Sequence, residues 1–288
     1  MPDLGPLLDL LPKVLPFEAL DARFMQRALL ALILLAPMAA AMGVQIVTFR
    51  MAFFSDAVSH SAFAGAALGL ILSLEPRLTM PAFGVLVAIG IVALQRRGGL
   101  SSDTVIGVAF ASVIAFGLAV ISRDRSLSRD VGRFVYGDVL TIGDGDLWAL
   151  LILFGLVAAF QVYAYNRMML IGLNEAVAEV HGVSVPVLQY AFAGLTALIV
   201  MFSVWAVGVF LVTALLIVPA TAARNLSRTA GGMFWWAILI SLTSACAGLL
   251  VSAQDWARTA AGATVVLIAF GWFILSQVAA LVRGVRRT

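Results

Sequence analysis

The chain has 288 residues, 62% of them hydrophobic and 11% charged, with a mean hydropathy of +1.07. A soluble domain averages about 45–50% apolar and about 25% charged, so a single soluble core cannot hide this much apolar surface, and disorder is excluded by the same balance. The apolar residues come in long runs rather than in alternation, which excludes a β-barrel and predicts an all-α polytopic transmembrane bundle; at about 20 residues per span there is material for about nine helices.

Residues 1–27 are read as an N-terminal interfacial segment. Asp3, Asp9, Glu18 and Asp21 are unlike a secretory signal. Leucines at 4, 7, 8, 10, 11 and 15 suggest a short amphipathic helix, interrupted by Pro12 and Pro16. Residues 28–282 are read as one transmembrane domain. Nine apolar stretches run roughly over 28–49, 52–74, 79–94, 105–122, 147–165, 187–204, 207–222, 233–252 and 260–282. Only Trp205 and Ala206 separate the sixth from the seventh, so these form either a tight hairpin or one broken helix, and the count is eight or nine. Residues 283–288 form a basic tail.

Loop charges bear on orientation. With the N-terminus outside, the inner loops and tail hold Arg50, Arg96, Arg97, Arg167, Arg224, Arg228, Arg283, Arg286 and Arg287. The outer side also holds nine basic residues, or six once Lys13, Arg23 and Arg27 of the N-terminal segment are set aside. The balance favours this topology. The net charge of +3 is therefore read as positive-inside topology and not as nucleic-acid binding. An outer loop gathers Asp124, Asp130, Asp138, Asp144 and Asp146 among arginines, a mixed-charge surface suited to protein docking.

The segment RMAFFSDAVSHSAFAGAALGL, residues 50–70, carries the chemistry. Asp56 and His60 are four apart, which on a helix means about 40° of rotation and about 6 Å of rise, so both point the same way. A helix beginning near Arg50 would place Asp56 about 9 Å and His60 about 15 Å up the axis. An acid within a span costs at least about 2.5–3.5 kcal/mol, which marks a pathway, a pair or a binding site. A carboxylate oxygen and an imidazole nitrogen suit Zn²⁺, Mn²⁺ or Fe²⁺. Two copies facing each other across a dimer axis would supply four ligands. A proton relay and a structural hydrogen bond within the helix remain open from spacing alone.

Ser55, Ser59 and Ser61 are read as bonding back to the helix. Gly65 and Gly69 lie opposite Asp56 and read as a face for close helix packing. Gln45, Thr213 and Thr264 are read as intramembrane helix glue, Pro219 as a kink, His181 as a surface residue and Cys246 as a small packing residue. Residues 172–186, GLNEAVAEVHGVSVP, read as a short amphipathic helix on the inner face, with Glu175 and Glu179 at i,i+4 and Gly182 as its stop. The single lysine, Lys13, lies outside any Gly-x-x-x-x-Gly-Lys-Ser/Thr loop, so this chain does not bind ATP by that motif. No His-Glu-x-x-His pattern supports an intramembrane enzyme.

These residues resemble a family. SDAVSHSAFAGAALG (55–69) is similar to the signature of the permease subunits of bacterial zinc/manganese ABC transporters. SSDTVIGVAFASVIAFGLAVIS (101–122), FVYGDVLTI (134–142), VGVFLVTALLIVPATAARNLSR (207–228) and GATVVL (262–267) resemble further segments of that family in the same order. The resemblance covers about residues 28–280. DWARTAAGATVVL (255–267) departs from it, since family members often carry Pro before the Gly.

The resemblance implies a homodimeric permease in the bacterial cytoplasmic membrane that moves Zn²⁺ or Mn²⁺, with Asp56 and His60 as a metal-coordinating gate. It implies cytoplasmic ATPase subunits that use ATP and grip a coupling helix at about 174–185, with Asn174, Glu175, Ala178, Glu179 and Gly182 as the contact set. It also implies a binding protein that delivers the metal outside. The alternatives are a proton-coupled secondary transporter and an ABC permease for a chelated metal.

Overall fold

A computed structural model describes residues 5–9, 11–14, 17–122, 142–207, 209–257, 259–282 and 284. Among them every regular element is helical. Two single turns, Gly5–Leu8 and Leu11–Val14, and a 3₁₀ turn, Glu18–Asp21, precede the bundle. Then come α1 (Arg23–Thr48), α2 (Phe54–Ile71), α3 (Pro76–Arg97), α4 (Ser102–Ile121) and α5 (Asp144–Leu173). A short α6 (Glu175–Val180) is followed by α7 (Val185–Val207), α8 (Val209–Leu226), α9 (Ala230–Ser252) and α10 (Ala261–Val282).

Seven of these helices are long and apolar enough to cross a membrane. The other two long helices are α2, which carries Asp56, His60 and three serines, and α8, whose apolar part is the short run Leu211–Leu226. The protein is a polytopic transmembrane helical bundle. The acid-rich loop residues Asp124, Asp130 and Asp138, most of FVYGDVLTI and most of the basic tail lie outside the described residues.

Contacts between helices set the direction of each. Call the end where α1 begins the near end. There Arg27 meets Asp144 at the start of α5 at 2.9 Å, and Arg77 at the start of α3 meets Asp146 at 3.7 Å. Arg23 reaches back to Asp9 at 3.0 Å. Surface pairs such as these contribute about 0–1 kcal/mol each, but they explain why α1 starts five residues earlier than its apolar run: its first turn is held by acids, not by lipid. At the far end lie Arg50, Arg96, Arg224 and α6. Gln189 of α7 accepts from Arg96 Nη1 at 2.6 Å and donates to Glu175 of α6 at 2.8 Å, so α7 starts at the far end. Phe202, late in α7, lines a small cavity with Arg77 and Asp146 at the near end. Arg224, late in α8, lines a cavity with Arg50 and Glu175 at the far end. The chain therefore reverses between α7 and α8, and the tight-hairpin alternative holds. Among the described residues nine long helices alternate in direction.

The middle of α1 explains its place. Met38–Gly43 is small or flexible in every side chain, and a Cβ on Gly43 would run into the backbone carbonyl of Leu216 in α8. Only such a surface lets α5, α7, α8 and α9 all pack on one helix. Accordingly 72% of its apolar 18-residue stretch is buried, against 22% for that of α4 and 17% for that of α10, which form the periphery. Gly65 and Gly69 of α2 serve close packing within the chain: a Cβ on Gly65 would stand 2.9 Å from Met80 Cα of α3, and one on Gly69 would meet the Thr79 hydroxyl. Helix α2 is thus clamped from behind by α3, which turns its opposite face toward α4 and α8.

Candidate metal centre in the membrane

Helix α2 starts at Phe54, not near Arg50 as expected. The backbone turns at Arg50, whose φ is 57°, and Met51 N–H closes onto Ile46 O of α1 at 3.0 Å. That turn uses up four residues before the new helix can begin. Asp56 therefore stands only about 3 Å, and His60 about 9 Å, above the start of the helix axis. This places Asp56 in the first turn, where the unpaired N–H groups and the helix dipole favour a carboxylate and offset part of the cost of an acid in a span.

Both side chains are half-buried and line one cavity of about 490 Å³. Its other walls are Phe110 of α4 and Thr213, Ala214, Ile217 and Val218 of α8. His60 Nδ1 lies 2.9 Å from the backbone oxygen of Asp56. A carbonyl can only accept, so Nδ1 carries the proton and, in the neutral ring, Nε2 keeps its lone pair. The rings of Phe110 and Phe63 stand edge-on to the imidazole, with centroids at 5.1 and 5.7 Å. Asp56 Oδ1 accepts from Thr213 Oγ1 at 2.7 Å. The centre thus presents one carboxylate oxygen and one imidazole nitrogen to a mostly apolar cavity. Among the described residues no three His, Cys, Asp or Glu side chains come together.

Neighbouring polar residues behave as helix-internal bonds. Ser59 Oγ donates to Asp56 O at 3.0 Å and Ser61 Oγ to Val58 O at 2.6 Å. Gln45 is glue between α1 and α5: its amide donates to Gln161 Oε1 at 2.9 Å, in full burial. Thr264 is not glue between helices as expected: its hydroxyl bonds locally, to Thr259 at 2.6 Å and Ala260 O at 3.2 Å. Thr213 also bonds across helices, from α8 to α2, but its partner is the acid of the site. Thr213 is the lone polar side chain in the first ten residues of α8, so its oddity was visible in sequence. Its partner, 157 residues away, was not. Phe110 carried no sequence signal at all. Cys246 is half-buried in α9 and His181 is exposed.

The inner connection is tighter than 172–186. Gly172 and Leu173 end α5, and Val185 and Pro186 open α7, leaving a helix of six residues. Asn174 caps it, its side chain accepting from Val177 N–H at 3.2 Å. Gly182, at φ 76°, closes it, and Val183 N–H bonds to Ala178 O at 3.0 Å. Ala178 is fully buried against the bundle, whereas Glu179 is exposed and Glu175 is held by Gln189. Sequence reasoning missed Gln189 and Arg96, which join α6 to α7 and α3.

The chain is thus a polytopic membrane bundle with an acid and an imidazole in the first two turns of one helix, facing one cavity, and comparison with known proteins identifies it as a membrane transport protein. The profile of the ABC 3 transport family matches residues 21–280, and the chain belongs to that family. It is 33% identical over 249 residues to the high-affinity zinc uptake system membrane protein ZnuB of Haemophilus influenzae, covering 86% of this chain and 95% of that protein. It is 29% identical over 246 residues to the manganese transport system membrane protein MntC of Listeria innocua, covering 85% and 87%. Its fold is similar to the structure of PsaBC from Streptococcus pneumoniae in complex with Fab, with a TM-score of 0.75, 27% identity and 95% of each chain covered.

Proposed function

We propose that this chain is the membrane-spanning permease subunit of an ATP-driven importer for a divalent transition metal, Zn²⁺ or Mn²⁺, in the bacterial cytoplasmic membrane. The observation that carries this reading is the pairing of Asp56 and His60 in one cavity, with Nδ1 of the imidazole tied to the helix and Nε2 left for a ligand. The zinc and manganese systems named for its relatives point to the same class of cargo. Two ligands hold an ion too weakly to trap it. A second copy of the chain facing the cavity would complete a four-ligand set that forms and breaks as the dimer opens.

ATP binding and hydrolysis belong to separate cytoplasmic subunits, since this chain has no phosphate-binding loop. They act on α6 at the far end, taken as cytoplasmic. Within the set Asn174, Glu175, Ala178, Glu179 and Gly182 the roles divide. Asn174 and Gly182 shape the helix, Ala178 and Glu175 anchor it to the bundle, and Glu179 faces the partner. An extracytoplasmic metal-binding protein docks at the near end.

The test is uptake of radioactive zinc and manganese by cells carrying an Asp56→Ala/His60→Ala variant at wild-type membrane levels. Loss of uptake is expected. Wild-type uptake would remove the pair from the pathway. Uptake that survives without an ATPase partner and collapses with a protonophore would instead favour a proton relay.

A further inference from the structure

Within helices a threonine hydroxyl ordinarily donates to the carbonyl four residues back. Thr48, Thr221 and Thr243 do so, to Val44 O at 2.7 Å, Ile217 O at 2.7 Å and Leu239 O at 2.8 Å. Thr213 does not: its hydroxyl crosses from α8 to α2 and donates to Asp56 Oδ1 at 2.7 Å. An O–H···O⁻ bond of that length is charge-assisted and about twice as strong as a neutral one. It fixes the rotation of a carboxylate that otherwise swings about its terminal torsion, because one oxygen is claimed by α8.

We infer that Thr213 is a positioning residue of the Asp56–His60 pair, holding Asp56 Oδ1 so that Oδ2 is the oxygen offered to a divalent cation beside His60 Nε2. This rests on the metal reading of the pair proposed above. The imidazole is oriented in the same manner, through Nδ1 and the Asp56 carbonyl. Each ligand therefore has one atom tied to protein and one left for the ion, as outer-shell partners do in metal sites. Helix α8 gives the contact a further consequence. Arg224, eleven residues beyond Thr213, lines the far-end cavity together with Glu175 of α6. A shift of α8 against α2 would release Asp56, and with it the grip on the ion.

The experiment uses the purified permease–ATPase complex in lipid nanodiscs, without nucleotide, and measures Zn²⁺ and Mn²⁺ binding by equilibrium dialysis. Thr213→Val removes the hydroxyl at constant shape, and Thr213→Ser retains it. The expected result is about a ten-fold weaker affinity for Thr213→Val, within the range found for outer-shell partners. Thr213→Ser is expected within about two-fold of wild type, and Thr213→Val is expected to add no further loss to Asp56→Ala. Wild-type binding by Asp56→Ala/His60→Ala would overturn the metal reading itself. Loss of binding there, with wild-type affinity in Thr213→Val, would overturn the positioning role alone. So would a Thr213→Ser variant as weak as Thr213→Val, because the hydroxyl would then not be what matters.

Discussion

Asp56 and His60 stand out because charge is so scarce in this chain, and their local spacing makes them readable without a structure. A four-residue interval on a helix brings two side chains to one face whatever the rest of the protein does. The same holds for Ser59 and Ser61, whose partners lie three residues away. Gln45 and Gln161 are the contrasting case. Each is unremarkable alone, and their bond spans 116 residues. Gln161→Leu would leave the buried Gln45 amide without an acceptor, and Gln45→Leu/Gln161→Leu would remove both polar groups. The single variant should lose about 1 kcal/mol, in keeping with intramembrane hydrogen bonds that average about 0.6 and reach about 1.7. The double variant should recover part of that loss. Thermal unfolding midpoints in detergent check this; a double variant less stable than the single one would contradict it.

Among the elements, α2 and α6 differ most from their sequence descriptions, each for a local backbone reason. Arg50 takes a left-handed conformation that ends α1 and delays α2, a feature no hydropathy pattern encodes. Helix α6 is cut to six residues because α5 runs on to Leu173, eight residues past its expected end. A helix this short depends on its caps. Asn174→Ala should cost about 1 kcal/mol of local stability through the lost cap. Gly182→Ala should cost about 1–2 kcal/mol through its left-handed φ. If α6 transmits the ATPase stroke, each variant should keep ATP hydrolysis while lowering metal imported per ATP by several-fold. Measuring both rates in proteoliposomes checks this, and unchanged stoichiometry would mean that the order of α6 is not part of coupling.

At the scale of the molecule, all three near-end arginines described at the bundle entrance pair with acids, whereas Arg50, Arg96, Arg97 and Arg224 gather at the far end. This asymmetry fits a far end facing the cytoplasm. On a Cys246→Ser background, Glu75→Cys at the near end should react with a membrane-impermeant maleimide in whole cells. Val180→Cys at the far end should react only after the membrane is opened. The reverse pattern would invert the topology.

The amino-acid sequence by itself determined that the chain lives in a membrane, how many apolar runs it has, and that one helix face carries an acid and an imidazole. These follow from composition and from short-range periodicity, which water and lipid read directly. Only the tertiary structure decided that α7 and α8 form a hairpin and that α3 clamps α2 from behind through Gly65 and Gly69. It also decided that a threonine on a distant helix holds Asp56. Such facts depend on which helix surfaces can approach closely enough to touch. That depends on small residues far apart in the chain, and no local pattern announces which of them will meet.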